Sequence, residues 1–254
     1  MEGMLGVVER VFLACDYAVR SGAPIGRRSS RDKEYHLQDW FRPRLEGERL
    51  KFDPPARNTY PDFRLVSQPL GFELKGLSYP GREADYDCNS QVPKGMHNGR
   101  AVYYVFVRYP SKTDSDEFPV LDLVMCHGSF LNADSSYEHI NKNVKGFGSY
   151  GDIMIRDRKM YVAPTPFALM DGVHRQVTLI DQEGSAFSDK LERVGSLERA
   201  ESERLVCAYR FDLSSNLIEA DSAPNPTAGR VHKFSAFRVA GQPGQKVTMR
   251  GYIA

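Results

Sequence analysis

Two carboxylates and one amine stand in this chain at a spacing that can do chemistry. Residues 58–76, Asn-Thr-Tyr-Pro-Asp-Phe-Arg-Leu-Val-Ser-Gln-Pro-Leu-Gly-Phe-Glu-Leu-Lys-Gly, read as two short strands joined by a turn over 67–71. Glu73 and Lys75 are two apart, so on a strand they share a face. A hairpin symmetric about residues 68 and 69 puts Asp62 opposite Lys75 and Arg64 opposite Glu73. Asp62 and Glu73 are then diagonal neighbours, about 7–8 Å apart at the backbone. Carboxylates converging from that spacing can hold one metal ion. A strand rich in Phe, Leu and Gly buries a face, and charges placed on it are costly unless paired or metal-bound. A hard cation such as Mg²⁺ takes one or two carboxylates and keeps several waters. A lysine beside it orients a water, and the chemistry that results is metal-assisted hydrolysis of a phosphodiester. The plain alternative is a surface hairpin with an ordinary Glu–Lys pair.

The arrangement resembles the PD-(D/E)xK nucleases, with Pro61-Asp62 as the PD element and Glu73-Leu74-Lys75 as the ExK element. By that resemblance Asp62, Glu73 and Lys75 are the catalytic residues. Asp62, Glu73 and the Leu74 backbone carbonyl are the metal ligands, and Mg²⁺ is the cofactor. The eleven-residue separation lies within the family's range. The matched segment is under a tenth of the chain, and PD…ExK alone recurs by chance. What sharpens it here is that each element opens or lies on a β-like run, with helical sequence ahead of both. A third acidic ligand often comes from the N-terminal helices of this superfamily, where Glu34 and Glu46 are the candidates, although a solvated helix charge is the better description of either one.

The stretch from Asp85 to Pro93 (Asp-Tyr-Asp-Cys-Asn-Ser-Gln-Val-Pro), with the turns at Lys94-Gly95 and Asn98-Gly99, looks like the loop that follows the catalytic strand in several type II restriction enzymes. On that likeness Asp87, Asn89, Ser90 and Lys94 lie near the scissile phosphate or the bases. Otherwise they belong to a polar loop. Arg156, Arg158 and Lys159 form a basic hairpin tip suited to phosphates or guanine edges, and solvated loop charge is the competing account. His174-Arg175, Arg230 to Lys233 and Arg250 are further basic spots of the same kind. Gly146-Phe-Gly-Ser-Tyr-Gly151 matches GxGxxG, but no strand precedes it and no helix follows, so a dinucleotide site is rejected. The six histidines show no metal-ligand spacing, and Cys126-His127 has no evident partner for a thiol nucleophile.

Around the motif, apolar spacing predicts an amphipathic helix over 4–20, stopped by Ser21-Gly22 and Pro24. A second helix covers 33–41 and reaches 45 if Pro43 permits. Strand-like runs follow at 63–66, 71–77, 101–109, 119–126, 152–155, 160–162 and 176–180. A short helix is expected at 137–143 and an exposed, charged one at 190–204. The runs 205–211, 233–239 and 246–253 are strand-like, with a loop at 220–229. The pattern is α/β or α+β. The resemblance sharpens it to a restriction-endonuclease-like core, a mixed central sheet flanked by helices with a β-rich C-terminal part. One nuclease domain over 1–254 is expected, with N-terminal helices at 1–48, a catalytic core at 49–165 and a β-rich part at 166–254 for recognition or dimer contacts.

With 254 residues, 41% apolar and 26% charged, the chain has material for a real core. Its formal charge of +1 is low for a simple nucleic-acid binder, but an enzyme needs basic groups only where the phosphates lie. Four scattered cysteines without a CxxC pair argue against zinc or a disulfide framework. No apolar run reaches the roughly 18–20 residues that span a bilayer, and Glu2 and Glu9 spoil a signal-peptide layout. A cytoplasmic, bacterial protein without a membrane partner is expected. The expected function is that of a type II restriction endonuclease, cutting double-stranded DNA to 5′-phosphates as a homodimer. A repair or mobile-element nuclease of the same superfamily is the nearest alternative, and a non-catalytic DNA-binding protein the more distant one.

Overall fold

A computed structural model describes residues 3–26, 33–56, 59–88, 92–133, 154–157, 160–212, 214–215, 217–242 and 244–250. Residues 33–35, 154–157, 160–161, 206–212 and 218–221 are described as backbone only. The protein is a mixed α+β fold with few helices and one large mixed sheet. No helix among the described residues is long and apolar enough to cross a membrane.

Helix α1 spans Met4–Arg20, as its periodicity predicts, and buries Val8, Val11, Phe12 and Cys15 completely. Ser21 N–H bonds back to the Tyr17 carbonyl, and Gly22 takes a positive φ of 73°, the left-handed turn that ends a helix. Helix α2 spans Lys33–Gly47 and runs straight through Pro43, beyond the expected end. Trp40, Phe41 and Leu45 are buried on the sheet, and Pro43 itself faces solvent. Packing of that apolar stripe outweighs one missing backbone bond.

Among the described residues the main sheet has nine strands. In spatial order they are Leu191–Ala200, Val231–Val239, Val177–Gln182, Asp122–His127, Arg100–Pro110, Leu70–Tyr79, Phe63–Leu65 and Phe52–Asp53, with Met96–His97 also paired to Arg100–Pro110. Leu70–Tyr79 runs parallel to Arg100–Pro110, and Asp122–His127 parallel to Val177–Gln182; the other pairs are antiparallel. Strands from the C-terminal third thus lie in the same sheet as the PD…ExK segment. One face packs Phe72, Tyr103, Val105 and Met125 against the two helices. The other packs Tyr104, Phe106, Val124 and Cys126 against Tyr86, Phe130 and Phe167.

Several expectations are corrected. Residues 190–204 are not a helix: Leu191–Ala200 is a strand, antiparallel to Val231–Val239. A bulge between Arg193 and Gly195 inserts one residue, so the buried Leu191, Val194 and Leu197 fall three apart and imitate helical spacing. The 220–229 loop is half strand, because Leu217–Pro224 pairs with Arg204–Asp212. The 246–253 run shrinks to Thr248–Met249 within the described residues. The 137–143 helix and the 146–151 glycine segment lie outside the described residues, as does the first half of 152–155.

Candidate functional site

The Leu70–Tyr79 strand is flanked on one edge by a ten-residue parallel ladder with Arg100–Pro110 and on the other by the three-residue strand Phe63–Leu65. Phe63 pairs with Phe72 and Arg64 with Gly71. The expected register is therefore off by two residues: Arg64 faces Gly71 rather than Glu73, and Asp62, just beyond the last pair, bonds through its backbone N–H to the Glu73 carboxylate. A slip of two preserves the face of every side chain, and it brings the carboxylates closer than the diagonal estimate. Gly71 explains the register. A Cβ there would lie 2.4 Å from the Pro61 ring carbon Cγ, so only glycine lets Pro61 close over the strand and set Asp62 in place.

Asp62 and Glu73 are both buried, each 8% exposed. The Glu73 carboxylate accepts from the Asp62 backbone N–H at 3.1 Å and from the Lys75 ammonium at 2.8 Å. Asp62 accepts from the Leu74 backbone N–H at 2.8 Å, so its side chain stands in for a strand partner where Phe63–Leu65 has ended. In a strand the N–H and C=O of one residue address the same neighbour, which turns the Leu74 carbonyl toward the Asp62 side. Three oxygen donors, two carboxylates and a carbonyl, thus meet at one edge of the strand. Hard oxygen donors of this kind suit Mg²⁺. Among the described residues no cluster of three His, Cys, Asp or Glu side chains is assembled, so a cation here relies on these two carboxylates.

Burial alone would push the Lys75 ammonium toward its neutral form. The Glu73 carboxylate, their hydrogen bond and the Asp62 charge outweigh it, and the Lys75 pKa lies above its ordinary value. Its ammonium is 5.9 Å from the centre of the Tyr86 ring, so the cation also faces an aromatic wall.

Three neighbours escaped the sequence reading. Gln38 on α2 donates to Asp62 at 3.0 Å. It is Gln38, not Glu46, that α2 brings to the carboxylates, since Glu46 is exposed near the helix end. Glu34 lies one turn before Gln38 on the same stripe, its side chain outside the described residues. Tyr60, just before Pro61, bonds through its hydroxyl to that of Tyr104 at 2.6 Å, and Tyr104 pairs in register with Glu73. The one signal available beforehand was the period of α2, which sets position 38 beside Leu37 and Phe41 on the inner side.

Of the expected DNA contacts, Lys94 is half-buried at the border of the site, its backbone near the Tyr60 hydroxyl. Asp87 is drawn into a surface ion pair with Arg82. Asn89, Ser90, Arg158 and Lys159 lie outside the described residues, and Arg156 is described as backbone within Met154–Asp157. Among the described residues that hairpin meets the site at its base, where Met160–Pro164 pairs with Asp85–Asp87. Asn98 and Gly99 both take positive φ and form the two-residue turn between Met96–His97 and Arg100. Cys126 is fully buried, and burial pushes its thiol well up, against a nucleophilic role.

No known protein family, no curated protein and no solved structure matches this chain.

Proposed function

We propose that the chain is a Mg²⁺-dependent DNA endonuclease on the PD-(D/E)xK plan, with a restriction-endonuclease-like core, and that it cuts double-stranded DNA in the manner of a type II restriction enzyme. A homodimer in a bacterial cytoplasm belongs to the same proposal, because a palindromic target asks for two-fold symmetry. The observation that supports it is convergence. Asp62, Glu73 and Lys75, spread over fourteen residues of sequence, meet around the Leu74 peptide at the edge of a mixed sheet. A surface Glu–Lys pair accounts for neither the burial of Glu73 nor the turn of Asp62 onto the same strand.

Asp62, Glu73 and the Leu74 carbonyl would hold the cation. When bound, Mg²⁺ supplies charge neutralisation at the phosphate and a water of lowered pKa. Lys75, kept charged by Glu73, donates to the attacking water or a phosphate oxygen and holds it in line with the bond to be broken. Gln38 restrains Asp62 and leaves its remaining lone pairs directed. Attack at phosphorus then breaks the bond to the 3′ oxygen and leaves a 5′-phosphate.

The test is incubation of the purified chain with unmethylated plasmid and phage DNA, with Mg²⁺ or with EDTA, followed by sequencing of the ends. Discrete Mg²⁺-dependent fragments are expected. Glu73→Ala and Lys75→Ala should each lose about 10²-fold or more in rate while staying folded. Smearing would point to a repair or mobile-element nuclease, and full activity in either variant would remove the site assignment.

A further inference from the structure

Beside the Asp62–Glu73–Lys75 trio stand hydroxyls that the trio does not use, and their protons can be counted. The Tyr60 and Tyr104 hydroxyls are 2.6 Å apart, and either can be the donor. A phenol donates one proton and accepts two. Were Tyr60 to donate to Tyr104, the Tyr104 proton would be left in the sheet interior, where that residue is 2% exposed and its hydroxyl makes no other hydrogen bond among the described residues. A buried donor without an acceptor is costly. The favoured arrangement has Tyr104 donating to Tyr60. Tyr60 then accepts, and its own proton remains.

Tyr60 stands two residues before Asp62 and its hydroxyl meets that of Tyr104, which pairs in register with Glu73, so its proton lies beside the site. Tyr60 is only partly buried, and its ring is held edge-on to His97 at 4.8 Å. Burial pushes both phenols up, and the Glu73 charge adds to it in each, after the Tyr60 and Tyr86 phenols in the case of Tyr104 and against the Tyr104 hydrogen bond in the case of Tyr60. The Glu73 oxygens are already bonded to Lys75 and to the Asp62 N–H, and neither receives the Tyr60 proton. A third phenol, Tyr86, is 3% exposed and its hydroxyl has no partner among the described residues. With Tyr104 donating, the Tyr60 and Tyr86 protons find no acceptor among the described residues, and an unused donor suits a ligand that only accepts. The non-bridging oxygens of a phosphodiester are such acceptors.

We propose that Tyr60 is a phosphate-binding catalytic residue: its free O–H donates to a non-bridging oxygen of the phosphodiester seated over Glu73 and Lys75, and Tyr104 is the positioning residue that orients it. This rests on the nuclease reading above. Negative charge grows on those oxygens as the nucleophile attacks, so a fixed donor there favours the transition state over the bound substrate.

The experiment compares the full-length wild type, Tyr60→Phe and Tyr104→Phe in three measurements. They are plasmid cleavage at saturating DNA, Mg²⁺ affinity by calorimetry without DNA, and the tyrosine near-ultraviolet band on adding thymidine 3′,5′-bisphosphate with Ca²⁺. Tyr60→Phe should lose about 10²-fold in kcat with Mg²⁺ affinity and melting temperature unchanged, and the bisphosphate should perturb the wild-type band but not that of Tyr60→Phe. Tyr104→Phe should lose less, in kcat and not KM, because Tyr60 keeps its proton but not its orientation. Wild-type kcat in Tyr60→Phe, or a loss explained by weaker Mg²⁺ binding, overturns the proposal while the nuclease reading stands. An inactive wild type that still shows the Tyr60-dependent bisphosphate signal would support phosphate binding and overturn the nuclease reading. An inactive wild type with no signal overturns both.

Discussion

Asp62, Glu73 and Lys75 owe their meeting to a residue without a side chain. Gly71 admits the Pro61 ring, and Pro61 delivers Asp62 to the end of a strand where the Leu74 N–H needs an acceptor. Gly71→Ala leaves every proposed ligand in the sequence yet places a carbon 2.4 Å from Pro61 Cγ, so Pro61 and Asp62 must move. The expected outcome is Mg²⁺ affinity weakened by about tenfold or more, the scale on which supports of metal ligands act. Calorimetry on the DNA-free protein checks it, and an unchanged affinity would show that Asp62 is not held by this contact. Asp62, Glu73 and Lys75 could be singled out in the sequence because residue type and spacing are local properties. Gln38 and Tyr104 were not, because each reaches the site from another element and no local spacing reports that contact.

At the scale of elements, α2 carries a visible cost. Pro43 removes a backbone bond in mid-helix and is exposed, so it returns no packing. Pro43→Ala should stabilise the protein by about 1–2 kcal/mol, less than the full helix penalty because proline also stiffens the unfolded chain; chemical denaturation measures it. Helix α1 makes a prediction in pH. Burial pushes the Cys15 thiol up from 9.0 to about 12, with the Arg44 charge opposing and Asp16 adding. The unfolded chain releases this proton first. Stability is therefore unaffected below pH 9 and falls as pH climbs from 9 toward 12. Cys15→Ala should flatten that decline whatever it does to stability at neutral pH, and the slope of unfolding free energy against pH is the readout. Amphipathic α1 could be read directly because its 3.6-residue period is unbroken. Leu191–Ala200 could not, because its bulge shifts a period of two into a period near three.

In the whole molecule, the far half of the sheet is tied together by buried charge. Arg238 is 1% exposed and donates to Thr178 at 3.1 Å, to the Gln245 carbonyl at 2.5 Å and to the Gly172 carbonyl. It thus joins two neighbouring strands to two loops that close over the sheet end. Arg108 does the same nearer the site, paired with Asp122 and lying over the Tyr79 and Phe167 rings. Arg238→Ala strands three acceptors and should destabilise the protein by about 3 kcal/mol or more. A drop in melting temperature without loss of Mg²⁺ affinity is expected, because Arg238 belongs to strands remote from Leu70–Tyr79 in the sheet order.

The sequence set an inventory: which residues are candidates for binding a cation, that α1 is amphipathic, which runs other than Leu191–Ala200 and Leu217–Pro224 are strands, and that Glu73 and Lys75 share a face. Those properties follow from side-chain chemistry and from periods only a few residues long. The tertiary structure decided the hairpin register, the reach of Gln38 to Asp62, the hydroxyl pair beside Glu73 and the continuation of α2 through Pro43. Each of these depends on contacts between residues far apart in the chain, where the energy of packing two elements together outweighs what either segment prefers alone.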